Sequence, residues 1–170
     1  VESYSDCSWG EGIAFQDRWV FKNDELSSGN GYLHALPEDV SQYKDSILGS
    51  RLDYNITIQH DDEYFVWVKM KGNSYGNDTV VLSSKINGEE YDENVLYNSY
   101  AWNSKGQWEW EPEKSNQKKY SFNGSKGETR TLSVWMNEDG VKIDELLITN
   151  LVNFNPNKDD KNKFNTVPIG

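Results

Sequence analysis

The sequence has little cysteine and little positive charge, and each shortage excludes a class of protein. Cys7 is the only cysteine among 170 residues, so an intramolecular disulfide and a cysteine-based structural zinc site are impossible. Basic residues number 17 against 28 acidic ones, which gives a formal charge of −11. Phosphate backbones and anionic membranes are bound through clustered basic side chains, so we expect neither nucleic acid nor a membrane as a partner.

Long apolar runs are missing as well. No segment approaches the ~18 apolar residues that cross a bilayer, and none has the charged, apolar and small-residue order of a signal peptide. The length suits one domain, and 35% hydrophobic residues are enough for one core. We therefore expect a folded, mature domain that was part of a longer protein.

Strand patterns dominate the rest of the chain. Alternation of apolar and polar residues predicts five strands, at 51–59, 63–71, 79–86, 128–136 and 141–149. The strand at 63–71 is apolar on both faces, which predicts a central position. Asp139-Gly140 is typical of a tight turn, so we predict one hairpin over 129–149. Only residues 37–48 show a spacing that fits a helix, of one or two turns at most. Many short strands predict an antiparallel β-sandwich or barrel.

The end of the chain has a different composition. Residues 155–165 are polar and rich in lysine, which is typical of a tail or linker. We predict a β-sandwich domain over 1–154 and a polar C-terminal tail over 155–170.

Aromatic residues are plentiful, and five of them lie close together. Tryptophan, tyrosine and phenylalanine make up 14% of the chain, and segment 97–112 places three tryptophans and two tyrosines among amide, acidic and lysine side chains. An exposed aromatic ring covers the C–H face of a sugar, while amides and carboxylates bond its hydroxyls. The segment thus predicts a carbohydrate site on a loop. Its candidate residues are Tyr100, Trp102, Asn103, Trp108 and Trp110, with Tyr75 from another loop.

These rings also have a purely structural interpretation. Trp108 and Trp110 are two positions apart on a predicted strand, so they share one face and fit a core equally well. Trp102 precedes a glycine loop and is the strongest candidate for exposure. Trp67 and Trp135 lie in apolar strands and are expected in the core. Stacked rings also bind single-stranded nucleic acid, but only in a basic groove, which this acidic segment does not offer.

Enzyme signatures are weak. The only histidines are His34 and His60, and no Gly-x-Ser-x-Gly motif accompanies them, so nothing indicates a nucleophilic triad. A glycosidase needs two carboxylates held ~5–9 Å apart in a cleft. Glu90 and Glu138 are a conceivable pair, although both lie beside turn signals. A small glycoside hydrolase or polysaccharide lyase therefore stays open as an alternative, as does an adhesion module whose exposed rings dock another protein.

Several segments of the chain carry a pattern when they are taken in order. They are Val1–Tyr4, Ser27–Leu33, Leu52–Tyr54, Tyr64–Val68, Trp108–Trp110, Trp135–Gly140, Ile143-Asp144, Leu146–Thr149 and Asn153–Pro156. Together they resemble the non-catalytic carbohydrate-binding modules of the galactose-binding-like jelly-roll type that includes families 6 and 35. The likeness covers most of residues 1–156, but Asn137 replaces the usual arginine of the last hairpin and Ser3-Tyr4 replaces Ala-Glu at the start.

The resemblance implies a fold, a function and a metal. It implies a jelly-roll β-sandwich that performs no chemistry, binds a polysaccharide or oligosaccharide, and keeps a catalytic domain of the same parent chain on its substrate. We expect a monomer that is secreted or held at a bacterial cell surface. A structural Ca²⁺ would tie the first strand to the last through Glu2 and Asp144, with backbone carbonyls of 28–31 as further ligands. The pattern around Asp144 fits a buried, hydrogen-bonded carboxylate equally well.

Overall fold

The computed structural model describes residues 6–8, 18–25, 27, 31–37, 50–72, 79–90, 97–100, 106–111, 119–159 and 166–168. These residues form strands and turns and contain no helix, so none of them forms a helical membrane span. The strands are β1 (Asp6–Ser8), β2 (Arg18–Asn23), β3 (Gly31–Leu36), β4 (Arg51–Thr57), β5 (Asp62–Lys71), β6 (Thr79–Ile86), β7 (Tyr97–Tyr100), β8 (Glu109–Glu111), β9 (Tyr120–Gly124), β10 (Thr129–Met136), β11 (Lys142–Thr149) and β12 (Thr166–Pro168).

The strands form two sheets. One has five strands in the order β1-β4-β10-β6-β7, and the other has the order β2-β3-β11-β5-β8, with β12 also on β11 and β9 also on β5. All pairings in the described part of the chain are antiparallel. The predicted antiparallel β-sandwich is thus confirmed, and the five predicted strands appear within two residues of their predicted ends.

The main core lies between the sheets. Alternate residues of β5 and β10 point inward because successive side chains of a strand face opposite ways. Burying such side chains is the main favourable term in folding, at ~25 cal/mol per Å² of apolar surface. The inward residues of these two strands are Val66, Val68, Met70, Leu132, Val134 and Met136, all with no exposed surface.

A second apolar cluster covers part of the outer face of the seven-stranded sheet. Trp67, Trp110 and Leu147 face outward there and pack with Phe154, which belongs to a segment that we call the strap, residues 150–159. The predictions that Trp67 and Trp135 are buried are confirmed, since they are 1% and 7% exposed.

Asn157 fastens the strap to the sheet. Its side-chain amide donates to the carbonyl of Trp110 at 2.9 Å and accepts the backbone N–H of Trp110 at 3.2 Å. The amide therefore pairs a backbone unit of β8 much as a neighbouring strand would. Lys119 adds two bonds, from its Nζ to the carbonyls of Val152 and Phe154 at 2.8 and 3.3 Å, and desolvation by burial lowers the pKa of Lys119.

We expect Asn157→Ala to lower the melting temperature by a few degrees. Two hydrogen bonds of about 0.5–1.5 kcal/mol each are lost, and each kcal/mol shifts Tm by about 2–4 °C in a domain of this size. Asn153→Ala is the matched control, because Asn153 is an exposed asparagine of the same strap. Calorimetric scans that give both variants the same Tm would contradict the fastening role of Asn157.

The predicted hairpin over 129–149 is wrong. β10 pairs with β4 and β6, whereas β11 pairs with β3, β5 and β12 in the other sheet. Asp139-Gly140 does form a turn, with Gly140 at φ 77°, but the turn crosses between the sheets. The Gly140 N–H bonds the carbonyl of Ala35 at 2.7 Å, and the Glu138 N–H bonds that of Thr79 at 3.3 Å. The Asp-Gly sequence predicts the turn, but it does not determine which strands pair with the strands on either side of it.

Two other predictions concern the chain outside these strands. The helical turn predicted over 37–48 lies almost entirely outside the described residues. The domain boundary predicted at residue 154 stays a prediction, but contacts cross it: Pro156 is buried, Asn157 bonds β8, and β12 pairs Thr166 with Leu147.

Candidate functional site

Two connections between the sheets start and end at one end of the sandwich. Residues 73–78 join β5 to β6, and residues 101–105 join β7 to the segment that leads into β8. The ends of the two connections are neighbours on both sheets, because Thr79 faces Tyr100 in the β6–β7 register and the Gly106 N–H bonds the carbonyl of Gly72 at 3.1 Å. The chain thus anchors both connections at the same end of the fold.

Four of the predicted binding residues belong to these connections or their anchors. Tyr75, Trp102 and Asn103 lie outside the described residues. Tyr100 ends β7, and of it the structure describes only the backbone, whose Cα faces that of Thr79. Their roles in binding stay predictions.

Trp108 lies beside these anchors and is half-buried. Its ring meets the ring of Tyr32 edge to face, with centroids 5.4 Å apart and planes at 63°. Tyr32 is on β3 and Trp108 directly precedes β8. The strands β11 and β5 lie between β3 and β8 in the sheet order, so the two rings reach across them. His34 follows on the same face of β3, its ring centroid 6.1 Å from that of Tyr32. Edge-to-face pairs of this kind fix the orientation of both rings.

Nitrogen donors line the same surface. The Lys71 ammonium lies 5.6 Å from the centroid of the Trp108 ring, within the range of a cation–π contact. In the strand register Lys71 faces Lys142, and Lys142 faces His34. His34 is only 6% exposed and packs beside Tyr32, so it is a packing residue. We call the set Tyr32, Lys71 and Trp108 the Trp108 platform. It combines flat aromatic surface with N–H donors, the two elements that a sugar needs for stacking and for bonding its hydroxyls.

Trp110 does not join this platform. Only 4% of its surface is exposed, and it packs with Trp67 and Phe154 beneath the strap. A ring enclosed to that extent has no face open to a sugar, so Trp110 is a packing residue in this structure.

The conceivable catalytic pair, Glu90 and Glu138, is separated by the length of β6. The backbone of Glu138 bonds Thr79 at the start of β6, and Glu90 follows the turn after Ile86 at its end. β6 has eight residues, and at ~3.3 Å per residue its ends lie roughly 23 Å apart. Glycosidase carboxylates act at about 5–9.5 Å. These two glutamates cannot therefore work together on one glycosidic bond.

The Asp144 side chain is buried, and a lysine of the same chain already balances its charge. Asp144 has no exposed surface, and the Lys69 Nζ lies 2.5 Å from its Oδ2. Glu2 lies outside the described residues, and within those that are described no three histidine, cysteine or acidic side chains gather as metal ligands. Ca²⁺ needs six to eight oxygens, so the described donors do not fit it. The calcium prediction, which also depends on Glu2 and on residues 28–30, stays a prediction.

Sequence reasoning missed Tyr32 and Lys71 as site residues. Successive side chains of β3 face opposite ways, so Tyr32 and His34 point away from the side of the core residues Leu33 and Ala35. This alternation does not show that β3 and β8 bring Tyr32 to Trp108, because that depends on the order of strands in the sheet.

Solved structures share this architecture. The C-terminal CBM6 of LamC, a marine laminarinase from Zobellia galactanivorans, aligns with a TM-score of 0.54 and 15% identity over 86% of this chain and 93% of its own. CBM35 from Paenibacillus barcinonensis aligns with a TM-score of 0.52 and 14% identity over 88% and 96%. The fold is that of these carbohydrate-binding modules. The resemblance to families 6 and 35 is thus confirmed for the fold.

A third neighbour was solved with a sugar. The carbohydrate-binding module CBM6cm-2 of Cellvibrio mixtus lichenase 5A, in complex with cellotriose, aligns with a TM-score of 0.52 and 13% identity over 88% of this chain and 92% of its own. No family model and no curated protein matches the chain by sequence. At these identities the likeness establishes the fold, and the cellotriose belongs to the neighbour.

Proposed function

We propose that this chain is a non-catalytic carbohydrate-binding module that binds a polysaccharide or oligosaccharide at the sandwich end marked by the Trp108 platform. The observation that carries the proposal is Trp108 itself. Its half-buried ring is held edge to face by Tyr32, 5.4 Å away, with the Lys71 ammonium at 5.6 Å. The connections that contain Tyr75, Trp102 and Asn103 start or end beside it.

The expected affinity is modest. One stacked aromatic ring contributes about 1–3 kcal/mol by analogy with base stacking on proteins. Each hydroxyl only exchanges water for a protein partner, with a net gain of about 0.5–1.5 kcal/mol. Two rings and a few hydrogen bonds therefore correspond to dissociation constants from about micromolar to millimolar. Binding of this strength lets the module release the glycan and bind again. It therefore suits a module that keeps an attached enzyme near an insoluble substrate.

The biological setting follows from the same proposal. The module would keep a catalytic domain of the same parent chain on its substrate, as a monomer, outside a bacterial cell. Two of the fold neighbours support this setting, since one is part of a laminarinase and another is part of a lichenase. The separation of Glu90 from Glu138 supports the absence of catalysis by that pair.

A glycan array followed by calorimetry tests the function. We expect binding to one group of related glycans, with no new reducing ends and no unsaturated products after long incubation. Chain cleavage would favour the alternative, a small hydrolase or lyase. Failure to bind any glycan, together with specific capture of a protein, would favour an adhesion module.

Trp102→Ala tests the loop part of the site. We expect this variant to lose glycan binding with little change in Tm, because Trp102 was predicted as the exposed ring of the segment. Gln107→Ala is the matched control, since Gln107 is exposed just beyond Gly106 at the end of the same connection. Unchanged affinity of Trp102→Ala by calorimetry would place the sugar away from that connection.

A further inference from the structure

A buried carboxylate on β11 sits at an irregularity of the strand. The register of β11 against β5 shifts between Ile143 and Glu145, so Asp144 is an extra residue in β11. Its side chain has no exposed surface. An ionised carboxylate in such a place is strongly unfavourable unless a positive charge neutralises it.

Lys69 provides that charge from the adjacent strand. It faces Glu145 in the β5–β11 register, its Nζ lies 2.5 Å from Asp144 Oδ2, and it lies 3.9 Å from Glu145 Oε2. On its other side Lys69 faces Trp110, which is 4% exposed. The lysine side chain is itself only 15% exposed. The ammonium therefore lies beside two carboxylates in a largely enclosed place.

We propose that the Lys69 ammonium neutralises Asp144 as a built-in cation, at the position where the family resemblance places a calcium ion. The ammonium lies at 2.5 Å from Oδ2, and calcium–oxygen bonds are about 2.3–2.6 Å long. The two cations would therefore compete for the same oxygen and would repel each other. It follows that the stability of this sandwich does not depend on calcium at Asp144.

Two variants test the ion pair between Lys69 and Asp144. We expect Lys69→Met to lower Tm by roughly 10 °C, because the buried Asp144 carboxylate then loses the cation that balances its charge. Adding Asp144→Asn to Lys69→Met should recover much of that loss, since the double variant removes both charges of the pair. Lys22→Met is the matched control: Lys22 is an exposed lysine on the same sheet, and its variant should keep the wild-type Tm.

Calorimetric scans of the wild type in excess EDTA and in millimolar CaCl₂ complete the test. We expect the same Tm in both, and non-additive effects of the Lys69 and Asp144 substitutions. The proposal is overturned if EDTA lowers Tm in the wild type but not in Asp144→Asn, or if the two substitutions act additively. The wild-type scans and a measurement of bound calcium after dialysis decide the question even if Lys69→Met does not fold. Stoichiometric calcium that is lost in Asp144→Asn would also overturn it.

Discussion

Trp67→Ala is expected to lower the free energy of unfolding by about 3–5 kcal/mol, the usual cost of deleting a buried tryptophan ring. In a domain of this size the change corresponds to a drop in Tm of roughly 10 °C. Trp67 is 1% exposed and packs with Trp110, Leu147 and Phe154, so its removal leaves a cavity under the strap. The Lys119 ammonium, 4.7 Å from the Trp67 ring, would lose that contact as well. Denaturant titration and calorimetry measure the loss.

Phenylalanine variants separate ring packing from indole hydrogen bonding. The Nε1 of Trp67 is shielded and has no partner among the described residues, whereas the Nε1 of Trp135 donates to Ser83 Oγ at 2.7 Å. Trp67→Phe should therefore cost less than Trp135→Phe, which leaves a buried hydroxyl without its donor. A Trp67→Phe variant as unstable as Trp67→Ala would contradict the importance of ring packing in this cluster.

The strands were predictable because alternation along a strand records burial directly. Both faces of β5 are apolar in sequence, and the structure gives the reason: Val66 and Val68 face the main core, while Trp67 faces the cluster beneath the strap. The predicted central position of β5 is confirmed, since it lies between β11 on one side and β8 and β9 on the other.

Strand partners were not predictable in the same way. β10 pairs Ser133 with Asp53, 80 residues away, and a 2.6 Å bond joins their side chains. Such pairings are selected by how two whole sheets pack, which no local pattern contains. The strap escaped prediction for a related reason: its polar composition hides the burial of Phe154 and Pro156 and the hydrogen bonds of Asn157.

In the candidate site, too, local sequence predicts one part and the fold determines the other. Spacing predicts that Trp108 and Trp110 share a face, but the strap decides which ring is covered. Asn157, 47 residues later, bonds the backbone of Trp110 and closes that position. Trp108 is two residues outside this cover and stays half-buried. The distinction between a packing ring and a binding ring is therefore set by a part of the chain remote in sequence.

Trp108→Ala is expected to weaken glycan binding by roughly 10- to 100-fold, the equivalent of one stacked ring at about 1–3 kcal/mol. Its ring is already partly exposed, so the expected change in Tm is only a few degrees. Calorimetric titration with a glycan identified on the array measures the first effect, and a thermal scan of the same sample measures the second.

Trp110→Ala is the matched comparison, because the two tryptophans are two positions apart in the chain and differ in how far they are covered. Losing the Trp110 ring empties a buried site, so this variant should lose stability, by about 3–5 kcal/mol, and keep the affinity of its folded fraction. The two variants should thus show opposite profiles, one in binding and the other in Tm. If Trp110→Ala abolished binding while Trp108→Ala bound as tightly as the wild type, the sugar would lie under the strap, and the Trp108 platform would be the wrong surface.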